Sequence, residues 1–176
     1  MSSTHIEVEP GDAGWKRARQ LLEEVWSPEV MATLRWRDVV WADADKRVLV
    51  ADEQGDVLCH VGLFLRNATW GDRAVWIGGI GGVATRADSR GRGLAAAAMQ
   101  RAVAELGGAG GADFGLLFCE PHLVPFYRRL GWSPFVGQVF AEQPQRRIRF
   151  DVTNPMAFDF ALAPRSGVLD LKGLPW

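Results

Sequence analysis

The sequence is poor in the residues that build covalent and metal frameworks. Only two cysteines and three histidines occur in 176 residues. Cys59 and Cys119 each sit in an apolar, strand-like run without CxxC spacing or a paired histidine cluster. That pattern excludes a disulfide scaffold and a zinc site, so buried free thiols and no metal are expected. Long apolar runs are missing too: none approaches the ~20 residues of a membrane span, and no apolar leader follows Met1. A soluble, cytoplasmic protein is expected. Nor does one charge dominate. Twenty basic against twenty-one acidic residues leave a net charge of −1, which argues against a broad nucleic-acid or anionic-membrane surface. Tyrosine is the scarcest of all, with Tyr127 the single one.

What is present suffices for a sizeable core. With 48% hydrophobic residues and no long polar tract, residues 1–176 fit one domain. Thr4 to Val8 predicts a first strand, and Gly11 and Asp12 a turn and N-cap. Trp15, Ala18, Leu22 and Val25 recur at helical spacing up to Ser27-Pro28. Residues 29–41 fix no single period and fit a helix or a loop. From Arg47, RVLVA, EQGD, VLCHVGLFL and NATWGDR read as an antiparallel meander. The strand AVWIGGIGGVAT (74–85) follows, with four glycines that call for a bulge or a close backbone approach. A helix over 91–106, a strand DFGLLFC and a short helix LVPFYRRL ended by Gly131 come next. Strands at 135–141 and 156–162, with a further candidate at 145–152, complete a mixed α/β sheet with a central parallel pair.

The helix over 91–106 opens with positive charge. SRGRGL places Arg90 and Arg92 where the macrodipole already leaves a helix partly positive. Unpaired amides and permissive glycines suit an anion, phosphate above all. The loop lacks the Gly-Lys-Ser/Thr of a Walker motif and the spacing of GxGxxG. An ordinary basic turn before an Ala-rich helix is the competing reading.

Taken with the glycine-rich strand before it and FYRRLGW after it, the loop resembles the GNAT superfamily of acyl-CoA-dependent N-acyltransferases. Arg90, Gly93 and Ala95 stand in that family's Arg/Gln-x-x-Gly-x-Gly/Ala motif. The resemblance runs from about Arg47 onward. It implies a twisted mixed sheet with a splayed central parallel pair and flanking helices. It also implies acetyl-CoA, its pyrophosphate on the amides of Arg90, Gly91, Arg92, Gly93, Leu94 and Ala95. Its pantetheine arm would lie between strands 74–85 and 113–119, along the backbone of Val83, Ala84 and Thr85. The Val83 amide would polarise the thioester carbonyl, and Tyr127 would protonate the departing thiolate; an aromatic core role for Tyr127 stays open.

Within the superfamily, VATRADSRGRGL and the tail GVLDLKGLPW look most like the aminoglycoside 2′-N-acetyltransferases. There an acidic residue two before the valine helps deprotonate the acceptor amine, and a terminal tryptophan carboxylate contacts it. Here the acidic position is Gly81. Glu120, His122 and the Trp176 carboxylate are the candidate replacements. Asp170 carries over from the tail, and Trp26, Trp36 and Trp41 could wall an acceptor site. Trp15 and Trp132 read as core, His60 as structural or substrate-facing, and RRIRF as a half-exposed strand or a phosphate site. The expected partner is a small-molecule amine, with a homodimer as a candidate assembly and neither nucleic acid nor membrane. Two alternatives stand beside acetyl transfer: a longer-chain acyltransferase of nodulation type, and a non-catalytic acyl-CoA-binding or partner-binding domain, suggested by Gly81.

Overall fold

Residues 46–85 carry the apolar alternation of a meander, and the computed structural model, which describes residues 3–176, folds them as one. Strands β2 (Lys46–Asp52), β3 (Val57–Trp70) and β4 (Arg73–Thr85) run antiparallel, with β1 (Thr4–Pro10) beside β2. Helix α3 (Leu94–Gly107) crosses over to β5 (Phe114–Cys119), which lies parallel to β4. The other edge of β5 takes β9 (Asn154–Asp159), and β9 takes the short β6 (Ser133–Pro134). Near its far end β3 pairs with β10 (Ser166–Asp170), which runs parallel to β7 (Val136–Gln143); β8 (Arg146–Arg149) closes that side. The result is the expected mixed α/β sheet with a central parallel pair.

Helix α1 (Gly11–Val25) buries Gly14, Ala18, Leu21 and Leu22. That stripe rotates Trp15 off the core: it is 42% exposed, and the Arg47 guanidinium lies over its ring. Asp12 is not the N-cap; Pro10 holds that position, and Gly11 N–H donates instead to the Asp45 carbonyl at 2.9 Å. Residues 29–41 are part helix and part loop, since α2 (Pro28–Thr33), capped by the Ser27 hydroxyl, ends after six residues. α3 starts at Leu94 rather than at 91, because Gly91 (φ 74°) and Gly93 (φ 77°) adopt the left-handed backbone that ends a helical run. α4 (Val124–Arg129) stops before Gly131, as expected. Strands β6 and β10 were not expected; β8 is the half-exposed strand read from RRIRF.

The alternation of β2 assigns the two faces. Val48 and Val50 join Met99, Leu106, Leu117 and Trp132 beneath α3, while Leu49 between them joins Ala18, Leu21 and Leu22 beneath α1. The α1 face continues through Phe64, Ile77, Phe114, Leu116 and Trp176. Each such side chain contributes roughly 1.5–3 kcal/mol by leaving water. The glycines of β4 admit protein rather than ligand. A Cβ on Gly78 would stand 3.0 Å from Leu106 and Ala112, one on Gly79 would fall inside the Trp176 indole, and one on Gly81 would lie 2.9 Å from the Trp176 main-chain carbon.

Candidate active site

The central parallel pair opens at one end. β4 and β5 pair from Ile77–Phe114 to Ile80–Leu117 and then part. Beyond that point β4 stays with β3 (Ala84 opposite His60, Thr85 opposite Cys59), and β5 stays with β9. The opening begins at a bulge. Between Gly62–Gly81 and His60–Ala84, β4 spends one residue more than β3, and Gly82 takes up the strain at φ 59°. Val83, with no partner in that ladder, is half-buried. The Ala84 side chain is buried beneath α1, and the Thr85 hydroxyl donates to Cys59 Sγ at 3.3 Å, so only their backbones border the cleft.

The loop that follows spends the Ser89 and Arg90 amides on the Arg86 and Ala87 carbonyls, at 2.9 and 3.5 Å, and leaves those from Gly91 to Gly93 without a partner among the described residues. Arg86 pairs with Asp88 at 2.8 Å, and Arg90 Nε donates to the Thr85 carbonyl at 3.3 Å. Among the described residues neither Arg90 nor Arg92 forms an ion pair, and Gly91, Arg92 and Gly93 are exposed. A Cβ on Gly91 or Gly93 would meet nothing within 4 Å. α3 has no side-chain cap and no acidic residue in its first turn, while Leu94 anchors it in the core. Free amides, a positive helix end and two unpaired guanidinium groups fit a pyrophosphate.

Tyr127 reaches this region from α4. It is 5% exposed and packs in one cluster with Cys59 and Cys119. Burial, then the two neighbouring thiols, pushes its phenol well above the ordinary value, so it keeps its proton at neutral pH. Burial and then the Glu120 carboxylate likewise raise the Cys119 thiol to about 11. Both cysteines are free and buried, as expected.

Of the residues expected around an acceptor, the structure joins some and separates others. Trp36 Nε1 donates to Glu120 Oε1 at 3.2 Å. Glu120 therefore does not cap the turn that follows it, where its side chain makes no capping bond. Trp36 meets Trp41 edge-to-face at 5.3 Å, and the rings continue through Phe150 and Phe118 to Trp176. Trp26 lies apart from them, against the cluster of Leu22, Leu49 and Ala84. His122 is exposed in the middle of the 3-10 turn Pro121–Leu123, neither an N-cap nor a loop residue.

The Trp176 indole stacks on Phe64 at 5.7 Å, takes the Arg66 guanidinium over its ring at 5.2 Å and donates to the Leu116 carbonyl at 3.2 Å. Its main chain fills the space a side chain at Gly81 would need. Asp170, expected on the acceptor, is held by its own chain: Arg147 at 2.9 Å, Lys172 Nζ at 3.3 Å and Lys172 N–H at 3.0 Å. Burial pushes its carboxyl up, but these partners outweigh burial and keep it below the usual carboxylate range.

The sequence reading missed how His60 is used. It is 1% exposed, with Nδ1 2.7 Å from the Gly82 carbonyl and Nε2 3.0 Å from Arg47 Nη1. The available signal was a lone arginine heading the apolar run RVLVA and a lone histidine inside the next apolar run, VLCHVGLFL.

Comparison with known proteins agrees with the geometry. Residues 9–135 match the family model of the acetyltransferase (GNAT) domain. No curated protein sequence matches the chain significantly. Among solved structures, a GNAT family N-acetyltransferase (YhbS) of Escherichia coli in complex with CoA superposes with a TM-score of 0.63 at 18% identity, over 98% of this chain and 91% of that one. An acyl-CoA N-acyltransferase of Pseudomonas aeruginosa gives 0.63 at 18% identity, over 89% and 99%. A GNAT family acetyltransferase of Brucella melitensis in complex with acetyl-CoA gives 0.57 at 18% identity, over 95% and 94%.

Proposed function

The chain belongs to the GNAT acetyltransferase family, and from that premise we propose that it moves an acetyl group from acetyl-CoA directly to a primary amine of a small molecule within a ternary complex. Residues 1–176 would act as one catalytic unit. The observation that carries the reading is the opening between β4 and β5, bounded by the uncapped start of α3, the buried phenol of Tyr127 and the carboxylate of Glu120.

Acetyl-CoA supplies an activated acyl group as a thioester. The amides from Arg90 to Ala95, with the guanidinium groups of Arg90 and Arg92, would hold its pyrophosphate. The backbone of Val83, Ala84 and Thr85 would align the pantetheine arm, and the Val83 N–H would donate to the carbonyl oxygen as negative charge grows there. Glu120, oriented by Trp36, would take the proton that the acceptor nitrogen must lose. Tyr127 would give its proton to the departing sulfur. Trp36, Trp41 and Trp176 would form one wall for the acceptor, with the main-chain carbon of Trp176 standing where Gly81 offers no side chain. Trp26 and Asp170 fall outside the proposed acceptor site.

Amino sugars of the aminoglycoside kind are the first acceptor class to test. The assay is acetyl-CoA-dependent thiol release with matched aminoglycosides carrying a 2′-amino or a 2′-hydroxyl group. Release confined to the 2′-amino members supports that class. Silence with all of them, while acetyl-CoA still binds, removes it and leaves the acyl-CoA half of the proposal standing.

A further inference from the structure

We propose that His60 is a positioning residue for acyl transfer, fixing and polarising the one peptide unit whose other end is the Val83 N–H. The inference rests on the reading that this N–H meets the thioester carbonyl. The described residues contain no cis peptide bond, so the Gly82 carbonyl and the Val83 N–H are opposite ends of a single trans amide and point in opposite directions. Holding one end aims the other.

His60 holds that end. Its Nδ1 lies 2.7 Å from the Gly82 oxygen, at the step where the β3–β4 ladder skips a residue. The proton's location follows from the partners. A carbonyl oxygen only accepts and a guanidinium only donates, so with Arg47 Nη1 3.0 Å from Nε2 the imidazole carries its hydrogen on Nδ1. A hydrogen bond into a carbonyl draws density from the amide and makes its N–H a stronger donor.

Arg47 braces the ring from behind. It is 8% exposed, donates through Nε to the Gly11 carbonyl at 2.9 Å and lies against the Trp15 ring. Buried polar side chains cost stability unless they are bonded, and here both imidazole nitrogens are. The chain Gly11–Arg47–His60–Gly82 thereby links the start of α1 to the bulge at the cleft.

The test uses acetyl-CoA labelled with ¹³C at the thioester carbonyl, bound to the wild-type protein and to two variants of similar polarity. His60→Asn places an amide N–H near the Nδ1 position, whereas His60→Gln places it near Nε2. The expected result is a bound carbonyl resonance shifted downfield of free acetyl-CoA in wild type and H60N. H60Q should lose the shift, bind acetyl-CoA with comparable affinity and fall by about tenfold or more in kcat with little change in KM. Retention of the shift in both variants, or loss in both, overturns the proposal. A wild-type protein that binds acetyl-CoA without any shift overturns the placement of the thioester at Val83, and this inference with it. A second readout needs no variant: the imidazole ¹⁵N shifts of the wild type must report the Nδ1–H tautomer, and the Nε2–H tautomer overturns the proposal.

Discussion

Trp36 Nε1–H donates to Glu120 Oε1 over 3.2 Å, joining residues 84 positions apart. The bond ties the loop after α2 to the carboxyl end of β5, so the loop itself orients the carboxylate. Glu120→Gln is expected to lower kcat by ~10²-fold, the usual scale for a positioned base, with acetyl-CoA affinity unchanged. Trp36→Phe keeps a ring and loses the donor, which should cost ~10-fold in kcat/KM, as a hydrogen bond to a charged group suggests. Steady-state kinetics alongside calorimetric titration of acetyl-CoA decide it. Wild-type turnover by E120Q removes Glu120 from the role.

Tyr127→Phe deletes one oxygen from a buried ring and preserves the packing around Cys59 and Cys119. Thermal stability and acetyl-CoA binding should stay near wild type while kcat falls by ~10–10²-fold, at the low end of acid catalysis. Transfer at the wild-type rate would leave Tyr127 as a core aromatic only.

Arg92 is exposed, next to the uncapped start of α3. Arg92→Gln should raise the Kd for CoA by ~3–10-fold at low ionic strength. The difference should nearly vanish around 1 M salt, where the Debye length is about 3 Å. A salt-independent difference would point to shape rather than charge.

His60 is held at about 4 against an ordinary 6.5, by burial first and then by the Arg47 charge, against the opposing pull of the Gly82 carbonyl. Below pH 6.5 the unfolded chain takes up a proton that the folded chain refuses. This contribution is therefore complete above pH 6.5 and is lost as the pH falls toward 4, by about 3 kcal/mol in all. Urea denaturation at pH 7 and pH 4.5 measures it, and H60N, which cannot titrate, should show a correspondingly smaller loss.

Gly81→Asp introduces a carboxylate at a place already filled. Its Cβ would stand 2.9 Å from the Trp176 main-chain carbon and 3.2 Å from the Phe64 ring. Loss of ~1–3 kcal/mol of stability is expected, as for other overpacked sites, with no gain in activity. A melting temperature equal to wild type, together with faster turnover, would show that Trp176 yields and that the carboxylate was wanted.

Local chemistry made much of this legible in the sequence. The meander, the crossover around SRGRGL and the free cysteines followed from alternation, glycine placement and spacing. Contacts between distant segments did not. Gly81 looked like a missing base until the Trp176 main chain appeared beside it, and Asp170 looked available because Arg147 and Lys172 could not be seen converging on it. Trp15 fits the helical period as well as Gly14 does, yet the stem of Arg47 crosses closest at Gly14. His60 needed a partner in another strand and a carbonyl turned out of register in a third.

The extra residue in β4 also acts on strand parity. Ahead of it, even-numbered Gly78 and Ile80 face α3 and odd-numbered Gly79 and Gly81 face Trp176; after it, Val83 packs with the α3 cluster and Ala84 beneath α1. The switch is one of numbering only, because the added residue takes up the shift. Substitutions between Ile80 and Ala84 change single contacts, whereas deleting Gly82 would restore one-to-one pairing with β3, leave Val83 and Ala84 on the faces they already occupy, and erase the turned-out carbonyl that His60 holds.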